Sequence, residues 1–377
     1  MTKLITTAEE LSNLITALSN ESAIGIDTES NGFFAYPEHV CLIQVSTSSQ
    51  NWIIDTLAIE EMDDFGALLA EKSVQKIIHA SDNDIRVIDR EWNFTVDSIF
   101  DTSLAARFCG YQRTGLGSVL EKSIGVVLKK SKKLQRADWG IRPLSKEALD
   151  YAVDDVAYLI QLRDRLIEIL SELDRNSWIE EEFERLKRIR YIAPPQPDVA
   201  FRLMKGSAGL EYQELLILKS IYMFRDIEAR NRNVPPFKVL SNEILLYLSR
   251  NPHADFEKVP GWPRRLSEKF KEKLSYSIKT GFNGEIIANT EFNPAKNKPP
   301  EHGKRYGVLL RALKDWRSDQ GEKLNLDPSL IWPTNSLIQL AQSRESVESV
   351  IMDSDMVRNW QKQQFSDSIR AKIKEVG

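Results

Sequence analysis

Four acidic side chains and one tyrosine, all within the first 155 residues, have the types and spacing of a metal-dependent hydrolytic site. They are Asp27, Glu29, Asp84, Tyr151 and Asp155. Carboxylate oxygens are the ligands that Mg²⁺ and Mn²⁺ prefer in proteins. A pair of such ions can generate and orient a hydroxide and stabilise the leaving oxygen of a phosphodiester. These residues therefore predict a two-metal phosphoryl-transfer centre that cleaves nucleic acid.

The first two acids lie in the segment IGIDTES, directly after an apolar run. Side chains two residues apart in a strand share a face, so Asp27 and Glu29 point the same way and Thr28 points the opposite way. Two carboxylates this close repel each other, and one pKa must rise unless a cation neutralises them. A surface turn in an acidic protein would show the same residues, so the pair indicates a metal site only together with other acids.

A third acid follows the apolar segment KIIH. Asp84 lies in SDNDI, at a predicted helix start, where an acid can also serve as an N-cap or interact favourably with the helix dipole. Asp82 has an equal claim on spacing alone. The residues themselves leave this choice open.

The most specific element is a helix that contains the tyrosine. Ser145 can cap this helix, and apolar residues at helical spacing predict that it continues to Leu170. Tyr151 and Asp155 then lie one turn apart on one face, where a hydroxyl can orient a water or take its proton and a carboxylate can bind a metal. Asp154 is also close to that face, so helical geometry does not separate the two aspartates.

The elements that must position these residues alternate between strand and helix in the first half of the chain. Strands are predicted at SAIGIDT, VCLIQVS, NWIIDT, VQKIIHA and DSIFDT, the second and third as a hairpin. Helices are predicted at TTAEELSNLITAL, EEMDDFGALLAEK and DNDIRVIDREW, and the signal is mainly helical from TGLGSVLEKSIGV onwards. This alternation is typical of an α/β domain with a mixed sheet flanked by helices.

Two proline-rich breaks divide the remainder of the chain. IAPPQPD at 192–198 predicts a boundary near residue 195, and FNPAKNKPPEHGK at 292–304 separates two helical blocks that resemble small bundles.

The charge of the chain is unevenly distributed. Residues 1–200 contain 22 basic and 33 acidic residues, a balance of −11. Residues 201–290 contain 15 basic and 10 acidic residues, a balance of +5. Residues 291–377 contain 14 basic and 12 acidic residues, a balance of +2. A basic second half suggests an anionic partner, although scatter in composition would explain the charge equally well.

Composition argues against several other classes of protein. A chain of 377 residues is too long for one ordinary domain. Cys41 and Cys109 are too few for a disulfide framework, and no Cys/His spacing predicts a zinc site. No apolar run approaches the ~20 residues that span a bilayer, and the first residues become acidic too soon for a secretory signal. No G-x-x-x-x-G-K-S/T loop occurs, so no nucleotide cofactor is expected. We therefore expect a cytoplasmic protein with reduced thiols and no membrane association.

The run KKSKKLQR lies just before the predicted helix of Tyr151. Its basic side chains could contact substrate phosphates, which would add salt-dependent affinity. A solvated loop without contact to substrate explains the run equally well. The basic side chains are Lys129, Lys130, Lys132, Lys133 and Arg136. Trp139 follows the run, and a core role explains it better than base stacking does.

Taken in order, these motifs resemble the tyrosine-bearing subgroup of the DEDD 3′–5′ exonuclease superfamily, and specifically the ribonuclease D family. The family's D-x-E motif corresponds to residues 27–29, and its Y-x-x-x-D motif corresponds to residues 151–155. Its second motif, a strand ending in His-Ala and an acid five residues after the histidine, corresponds to residues 79–84. YPEHVCLIQVS, FDTSLAARF and ADWGIRPLS also match, so the resemblance covers about residues 1–190. KKLQRADW is similar to the eukaryotic exosome-associated relatives as well.

The resemblance implies a ribonuclease H-like exonuclease domain at residues 1–193 and a role for each motif residue. Two divalent ions, Mg²⁺ or Mn²⁺, would be bound by Asp27, Glu29, Asp84 and Asp155. Tyr151 would position or deprotonate the attacking water, whereas His79 would have a structural role. The resemblance favours Asp84 over Asp82 and Asp155 over Asp154.

The second half resembles the helical HRDC domains that follow the nuclease in this family. LLILKSIYMFRDIEARNRNVPPFKVLSNEILLYLSRNP matches that module at Ala229, Asn233 and the pair of prolines, with an imperfect register at the arginine. LKDWRSDQGEKLNLDPSLIWPTNSLIQLAQ resembles a second, more divergent copy. Two HRDC-like bundles are therefore expected at 207–283 and 304–376. Their positive charge fits contact with RNA, and framing the channel or mediating association is the alternative.

The resemblance also implies the reaction. It is stepwise hydrolysis of RNA from a single-stranded 3′ end, with release of nucleoside 5′-monophosphates and with tRNA precursors or other structured RNA as substrates. A 3′–5′ exonuclease that acts on DNA is one alternative, because no residue identifies a contact to the 2′-hydroxyl. A non-catalytic RNA-binding scaffold is another, and the complete set of four acids and a tyrosine argues against it.

Overall fold

The computed structural model of the chain describes residues 2–129, 131, 133–264, 266–284, 304–342, 347–352 and 354–376. The first half is built on one six-stranded sheet with the spatial order β1-β4-β3-β2-β5-β6. Its strands are β1 (Thr2–Ile5), β2 (Ala23–Ser30), β3 (Val40–Ser46), β4 (Asn51–Asp55), β5 (Gln75–Ile78) and β6 (Ile99–Asp101). β3 runs antiparallel to β2 and β4, whereas β1–β4, β2–β5 and β5–β6 are parallel pairs. The predicted mixed sheet and its β3–β4 hairpin are therefore confirmed.

Helices cover both faces of this sheet. In chain order they are α1 (Ala8–Leu18), α2 (Asp63–Ala70), α3 (Asp82–Trp92), α4 (Thr102–Phe108), α5 (Leu116–Ile124), α6 (Lys146–Asp154), α7 (Leu159–Glu172) and α8 (Asn176–Leu186). On one face, Ile26 of β2 and Ile43 of β3 join the apolar residues of α1, α2 and α3. On the other face, Leu42 of β3 and Ile53 of β4 pack with Trp139 and with the alanines of α6. The period-2 alternation of β3 thus separates two cores.

The edge strand β1 is absent from the predicted strands. Of its four residues, only Ile5 is buried, and the other three are exposed. A segment with one buried side chain has no alternating pattern to detect. Its strand conformation depends on parallel pairing with β4, about 50 residues further along the chain.

The single helix predicted over residues 145–170 is wrong, because residues 155–158 separate α6 from α7. The Ser46 hydroxyl donates a 2.8 Å hydrogen bond to the carbonyl of Val156 in this break. The backbone of β2 also lies against the break, since a Cβ built on Gly25 would come within 3.2 Å of the same carbonyl oxygen. These tertiary contacts override a local spacing that favours one continuous helix.

The second half of the described chain is helical, as expected. Its helices are α9 (Pro197–Ala200), α10 (Tyr212–Arg232), α11 (Pro236–Val239), α12 (Asn242–Arg250), α13 (Glu268–Phe282), α14 (Lys304–Leu324), α15 (Pro328–Ile331), α16 (Thr334–Gln342), α17 (Val347–Met352) and α18 (Asn359–Val376). The break predicted at 292–304 lies outside the described residues, apart from its last position. None of the described helices is both long enough and apolar enough to span a bilayer.

Helices α10–α13 form a first bundle around their own apolar core, which also includes Phe201. The loop after β2 docks on this bundle through Tyr36. The Tyr36 hydroxyl donates to Asp226 at 2.5 Å, and the Tyr36 backbone N–H donates to Asn233 at 3.0 Å. The guanidinium of Arg230 lies 4.9 Å from the centre of the Tyr36 ring. The segment that leaves the predicted metal-binding strand is therefore attached to the first bundle.

Helices α14–α18 form a second bundle, and its apolar core is continuous with that of α4, α7 and α8 in the sheet domain. The rings of Trp178 and Trp360 stack across this contact with centroids 4.7 Å apart. Arg358 binds both carboxylate oxygens of Glu182, at 2.9 and 3.2 Å. The second bundle and the sheet domain therefore share one hydrophobic core.

Candidate active site

The end of β2 presents Asp27 and Glu29 on the same face of the sheet. In the ladder with β3, Asp27 is opposite Gln44 and Glu29 is opposite Leu42, with an irregularity between Glu29 and the following residue. Opposite residues of an antiparallel pair point to the same side. Both acids therefore face α6, as the period-2 alternation predicts.

Asp155 meets this pair from the end of α6. The Ser145 hydroxyl accepts a hydrogen bond from the Ala148 backbone N–H and so begins the helix where the sequence predicts. Asp155 is the C-cap residue, with φ −73° and ψ −18°, so its backbone nearly continues the helical path. One carboxylate oxygen each from Asp27, Glu29 and Asp155 lie within 4.8 Å of one another. Residues more than 120 positions apart thus form one acidic group.

Asp84 approaches from α3, on the opposite side of the sheet. Its carboxylate is buried and accepts a 2.5 Å hydrogen bond from the Thr28 hydroxyl. Asp84 lies outside the 4.8 Å group, yet its charge raises the pKa of Asp27. Asp82, the alternative on spacing, is exposed and pairs with Arg86 at 2.9 Å. The structure therefore places Asp84 beside the acidic group and Asp82 at the surface.

Burial raises the pKa of all four carboxyls, and repulsion by the other site acids raises those of Asp27 and Glu29 further. The pKa of Asp27 is raised well above its ordinary value by burial and then by the other three acids. Burial, followed by the charges of Asp155 and Asp84, raises the pKa of Glu29 to about 8. Burial also raises the pKa of Asp84 and that of Asp155 to about 6. The arrangement concentrates negative charge that a cation would neutralise.

Tyr151 lies one turn before Asp155 on α6. Its ring packs beside Trp139, with centroids 6.3 Å apart, and its hydroxyl is hydrogen-bonded by the Gln135 side chain. Burial, followed by the charges of Asp155 and Glu29, raises the pKa of Tyr151 above its ordinary value. Trp139 is only 2% exposed, which confirms its predicted core role.

His79 and Asp101 hold the turn that precedes α3. The His79 ring forms a 2.8 Å hydrogen bond with the Thr102 hydroxyl, a contact that supports the structural role expected for it. Asp101 caps α4 and also accepts hydrogen bonds from the backbone N–H groups of Ala80 and Ser81, at 3.1 and 2.8 Å. Asp101 thereby ties the start of α3, and with it Asp84, to the end of β6.

Arg142 fixes the loop between the basic run and α6. Its guanidinium binds both oxygens of buried Asp55 in β4, at 2.6 and 2.7 Å, and donates to the carbonyl of Trp139 at 2.6 Å. The matched segment ADWGIRPLS is therefore anchored to the sheet immediately ahead of α6.

The basic run lies at the edge of this site. Leu134 packs against the apolar layer under α6 and begins a short 3-10 turn that ends at Arg136. Lys129, Lys133 and Arg136 are exposed. Burial and then the charge of Asp150 raise the pKa of Asp154, and the positive charge of Lys129 opposes this rise. The other two predicted contacts, Lys130 and Lys132, lie outside the described residues.

Sequence reasoning missed three side chains of this site, which are Thr28, Gln44 and Gln135. Thr28 was placed correctly on the face opposite Asp27, but its hydrogen bond to Asp84 spans 56 positions and has no local signal. Gln44 sits in an apolar strand, where a lone buried amide is a usable signal. Gln135 lies within a run of basic residues, so no distinct sequence signal separates it from its neighbours.

Comparisons with known proteins agree with this fold. Residues 2–171 match the 3′–5′ exonuclease domain family. Ribonuclease D of Zymomonas mobilis is 31% identical over 318 residues, which cover 83% of this chain and 77% of that protein. The structure of Escherichia coli RNase D has a TM-score of 0.69 at 22% identity and covers 100% of this chain and 99% of its own. The catalytic core of RRP6 from Trypanosoma brucei has a TM-score of 0.67 at 26% identity, covering 76% and 81% of the two chains.

The sheet, the acidic group and the match over residues 2–171 define a 3′–5′ exonuclease domain. The likeness to the Zymomonas protein covers 83% of this chain and therefore extends well beyond that domain. The chain belongs to the ribonuclease D family.

Proposed function

We propose that this chain hydrolyses RNA stepwise from its 3′ end with two divalent metal ions and releases nucleoside 5′-monophosphates. The observation that carries the proposal is the group formed by Asp27, Glu29 and Asp155, whose carboxylate oxygens lie within 4.8 Å of one another beside Asp84. Membership of the ribonuclease D family supports the choice of RNA and of the 3′ end.

The chemistry of the donor set fits Mg²⁺ or Mn²⁺. The four acids offer only oxygen ligands, which hard divalent cations prefer. The raised pKa of each carboxyl reports burial and repulsion that bound cations would offset. Asp27, Glu29, Asp84 and Asp155 would hold the ions, which when bound supply a reactive hydroxide and stabilise the leaving oxygen.

Tyr151 would orient the attacking water. Its pKa lies above the ordinary value, so in the metal-free protein its hydroxyl is protonated at neutral pH and acts as a hydrogen-bonding group. The hydrogen bond from Gln135 and the packing of Trp139 restrict the ring, which keeps the hydroxyl beside Asp155 and Glu29.

Exposed basic residues would hold the RNA backbone near the acids. Lys129, Lys133 and Arg136 are available for phosphate contacts, each of which adds salt-dependent affinity. We assign residues 1–193 to the exonuclease domain and the bundles at 207–283 and 304–376 to HRDC-like domains whose net positive charge attracts RNA.

The relatives support the proposed substrate class. The Escherichia coli protein is described as an exoribonuclease involved in structured RNA processing. Structured RNAs with single-stranded 3′ tails, tRNA precursors among them, are therefore the proposed substrates, acted on in the cytoplasm.

A nuclease assay on the purified full-length chain tests the proposal. The substrates are one 3′-tailed hairpin RNA and its DNA counterpart, each with Mg²⁺, Mn²⁺ or EDTA. We expect stepwise shortening of the RNA from the 3′ end, no reaction in EDTA, and a loss of at least about 10³-fold in Asp27→Asn and Asp155→Asn.

Asp82→Asn and Asp154→Asn are matched controls, because each removes an acid adjacent to a proposed ligand, and both should retain nearly full activity. Undiminished cleavage by Asp155→Asn would contradict the site assignment. Equal rates on RNA and DNA would contradict the substrate class, and RNA binding without any cleavage would indicate a scaffold.

A further inference from the structure

Gln44 is a buried amide without a hydrogen-bond partner. Its side chain is completely buried, and neither its Nε2 nor its Oε1 has a partner among the described residues. Leaving a buried polar group unsatisfied costs about 1–3 kcal/mol. Almost all buried polar groups in native structures have a partner, so this one calls for an explanation.

The position of Gln44 in the sheet points to the acidic group. Gln44 is opposite Asp27 in the antiparallel ladder between β2 and β3. Side chains of opposite residues lie on one face, with Cβ atoms about 4.5–5.5 Å apart. The unpartnered amide and the Asp27 carboxylate are therefore immediate neighbours on the face that meets α6.

The layer around Gln44 consists mostly of apolar side chains. Ile53 is its partner on the other neighbouring strand, and Leu42, two residues earlier, packs with Trp139 under α6. Ser46, two residues later on the same face, binds the carbonyl of residue 156, directly after Asp155. Gln44 thus lies beside Asp27 on the sheet face from which Ser46 contacts the residue that follows Asp155.

We infer that Gln44 is a positioning residue of the proposed metal centre. Its amide N–H groups act on the Asp27 carboxylate through an ordered water and hold that carboxylate in the orientation in which it binds metal. An uncharged donor suits this role, because a cation here would compete with the metal and another acid would add to the repulsion. The inference rests on the proposed function, since it requires that Asp27 is a metal ligand.

A structural role for the amide is the competing explanation. The indole N–H of Trp139, in the same layer, also has no partner within the described part of the chain. A buried water that served both groups would satisfy Gln44 without any link to metal binding. The two explanations differ in what an apolar side chain of the same shape would do.

The test is Mn²⁺ binding by the full-length protein with Gln44→Met, followed by electron paramagnetic resonance of the free ion. Hydrogen-bonding partners of metal ligands typically contribute about 10- to 100-fold in metal affinity, and we expect a loss of this size. The unfolding midpoint in EDTA should stay unchanged or rise, because the variant removes an unsatisfied amide. With RNA substrate, kcat should fall while KM stays unchanged. Gln44→Leu serves as a second apolar variant if Gln44→Met does not fold.

Ile54→Met is the matched control, because Ile54 is fully buried on β4 and faces the opposite core. Mn²⁺ affinity within threefold of this control in the Gln44 variant would overturn the inference. Asp27→Asn separates this failure from that of the proposed function. If Asp27→Asn binds Mn²⁺ like the wild type, the metal site itself is misassigned. If Asp27→Asn binds Mn²⁺ weakly and Gln44→Met binds it normally, the metal site stands and only the role of Gln44 is ruled out.

Discussion

At the scale of single residues, the acidic group is placed where it destabilises the metal-free protein. Each carboxyl has a raised pKa, so the folded chain holds protons that the unfolded chain has already released. The stabilising contribution of these protonated carboxyls is complete below the ordinary carboxyl pKa of about 4. It is lost as the pH rises through the folded-state values, which reach about 8 for Glu29. The proposed metal site is thus an arrangement of acids that costs stability when no metal is bound.

Replacement of Asp27 tests this balance. In EDTA, Asp27→Asn should be more stable than the wild type at pH 8, by on the order of 1 kcal/mol, because the amide carries no charge. The advantage should shrink as the pH falls toward 5, where the wild-type carboxyls become protonated. Urea unfolding at pH 5, 6.5 and 8 measures both effects.

Added Mg²⁺ provides the internal control for this experiment. It should stabilise the wild type and leave Asp27→Asn nearly unchanged, because only the intact site binds the ion tightly in the folded state. A wild type that is more stable than Asp27→Asn in EDTA at pH 8 would contradict the electrostatic explanation.

At the scale of elements, the break between α6 and α7 decides where Asp155 lies. The helical spacing of residues 145–170 favours one continuous helix, yet Ser46 binds the carbonyl of Val156 and residues 155–158 leave the helix. Asp155 becomes a helix cap directed toward β2. The position of one proposed metal ligand therefore depends on a hydrogen bond from the neighbouring strand.

Ser46→Ala removes that hydrogen bond, while the Val156 carbonyl keeps a 3.1 Å hydrogen bond from the Leu159 backbone N–H. We expect a loss of about 0.5–1.5 kcal/mol in the free energy of unfolding, the net contribution of an ordinary hydrogen bond. Weaker Mn²⁺ binding should accompany it, because Asp155 loses its support. Denaturant unfolding and metal titration of the full chain measure the two effects.

Ser48→Ala, in the exposed turn after β3, is the matched control and should change neither quantity. If Ser46→Ala lowers stability but binds Mn²⁺ as the wild type does, the hydrogen bond does not position Asp155.

At the scale of the whole molecule, both helical bundles are attached to the exonuclease domain by different means. The first is held by polar contacts of Tyr36 in the loop that follows Glu29. The second shares an apolar core with α4, α7 and α8. Truncation before residue 304 would therefore expose buried side chains such as Phe108, so point substitutions are the better probes of the bundles.

Tyr36→Phe removes the hydroxyl that donates to Asp226. A hydrogen bond to a charged group contributes about 1.5–3 kcal/mol, so the free energy of local opening at this contact should fall by a similar amount. Faster amide exchange is expected in the loop at 31–39 and at the carboxyl end of α10. Hydrogen exchange followed by mass spectrometry gives the comparison, segment by segment.

Tyr276→Phe is the control, because Tyr276 is 73% exposed on α13. Exchange in the loop at 31–39 that is the same in both variants would show that the Tyr36 hydroxyl does not hold the first bundle to the sheet domain.

Much of the fold and of the site could be predicted locally. The bounds of α3 coincide with the predicted segment DNDIRVIDREW, and Ser145 caps α6 as expected. Asp27 and Glu29 share a face because strand periodicity demands it. The edge strand β1 and the helix break at 155–158 escaped prediction, because both depend on partners far away in the chain.

The amino-acid sequence by itself determined the residue types of the site, the α/β order of the first half and the helical character of the second. These depend on side-chain chemistry and on periodicities of two and 3.6 residues, which are local properties. Only the tertiary structure showed that Asp84 is hydrogen-bonded to Thr28, that Asp155 is a helix cap and that Gln44 lies beside Asp27. The physical reason is that these contacts join residues up to about 130 positions apart, where packing and hydrogen bonding across elements leave no signal in neighbouring residues.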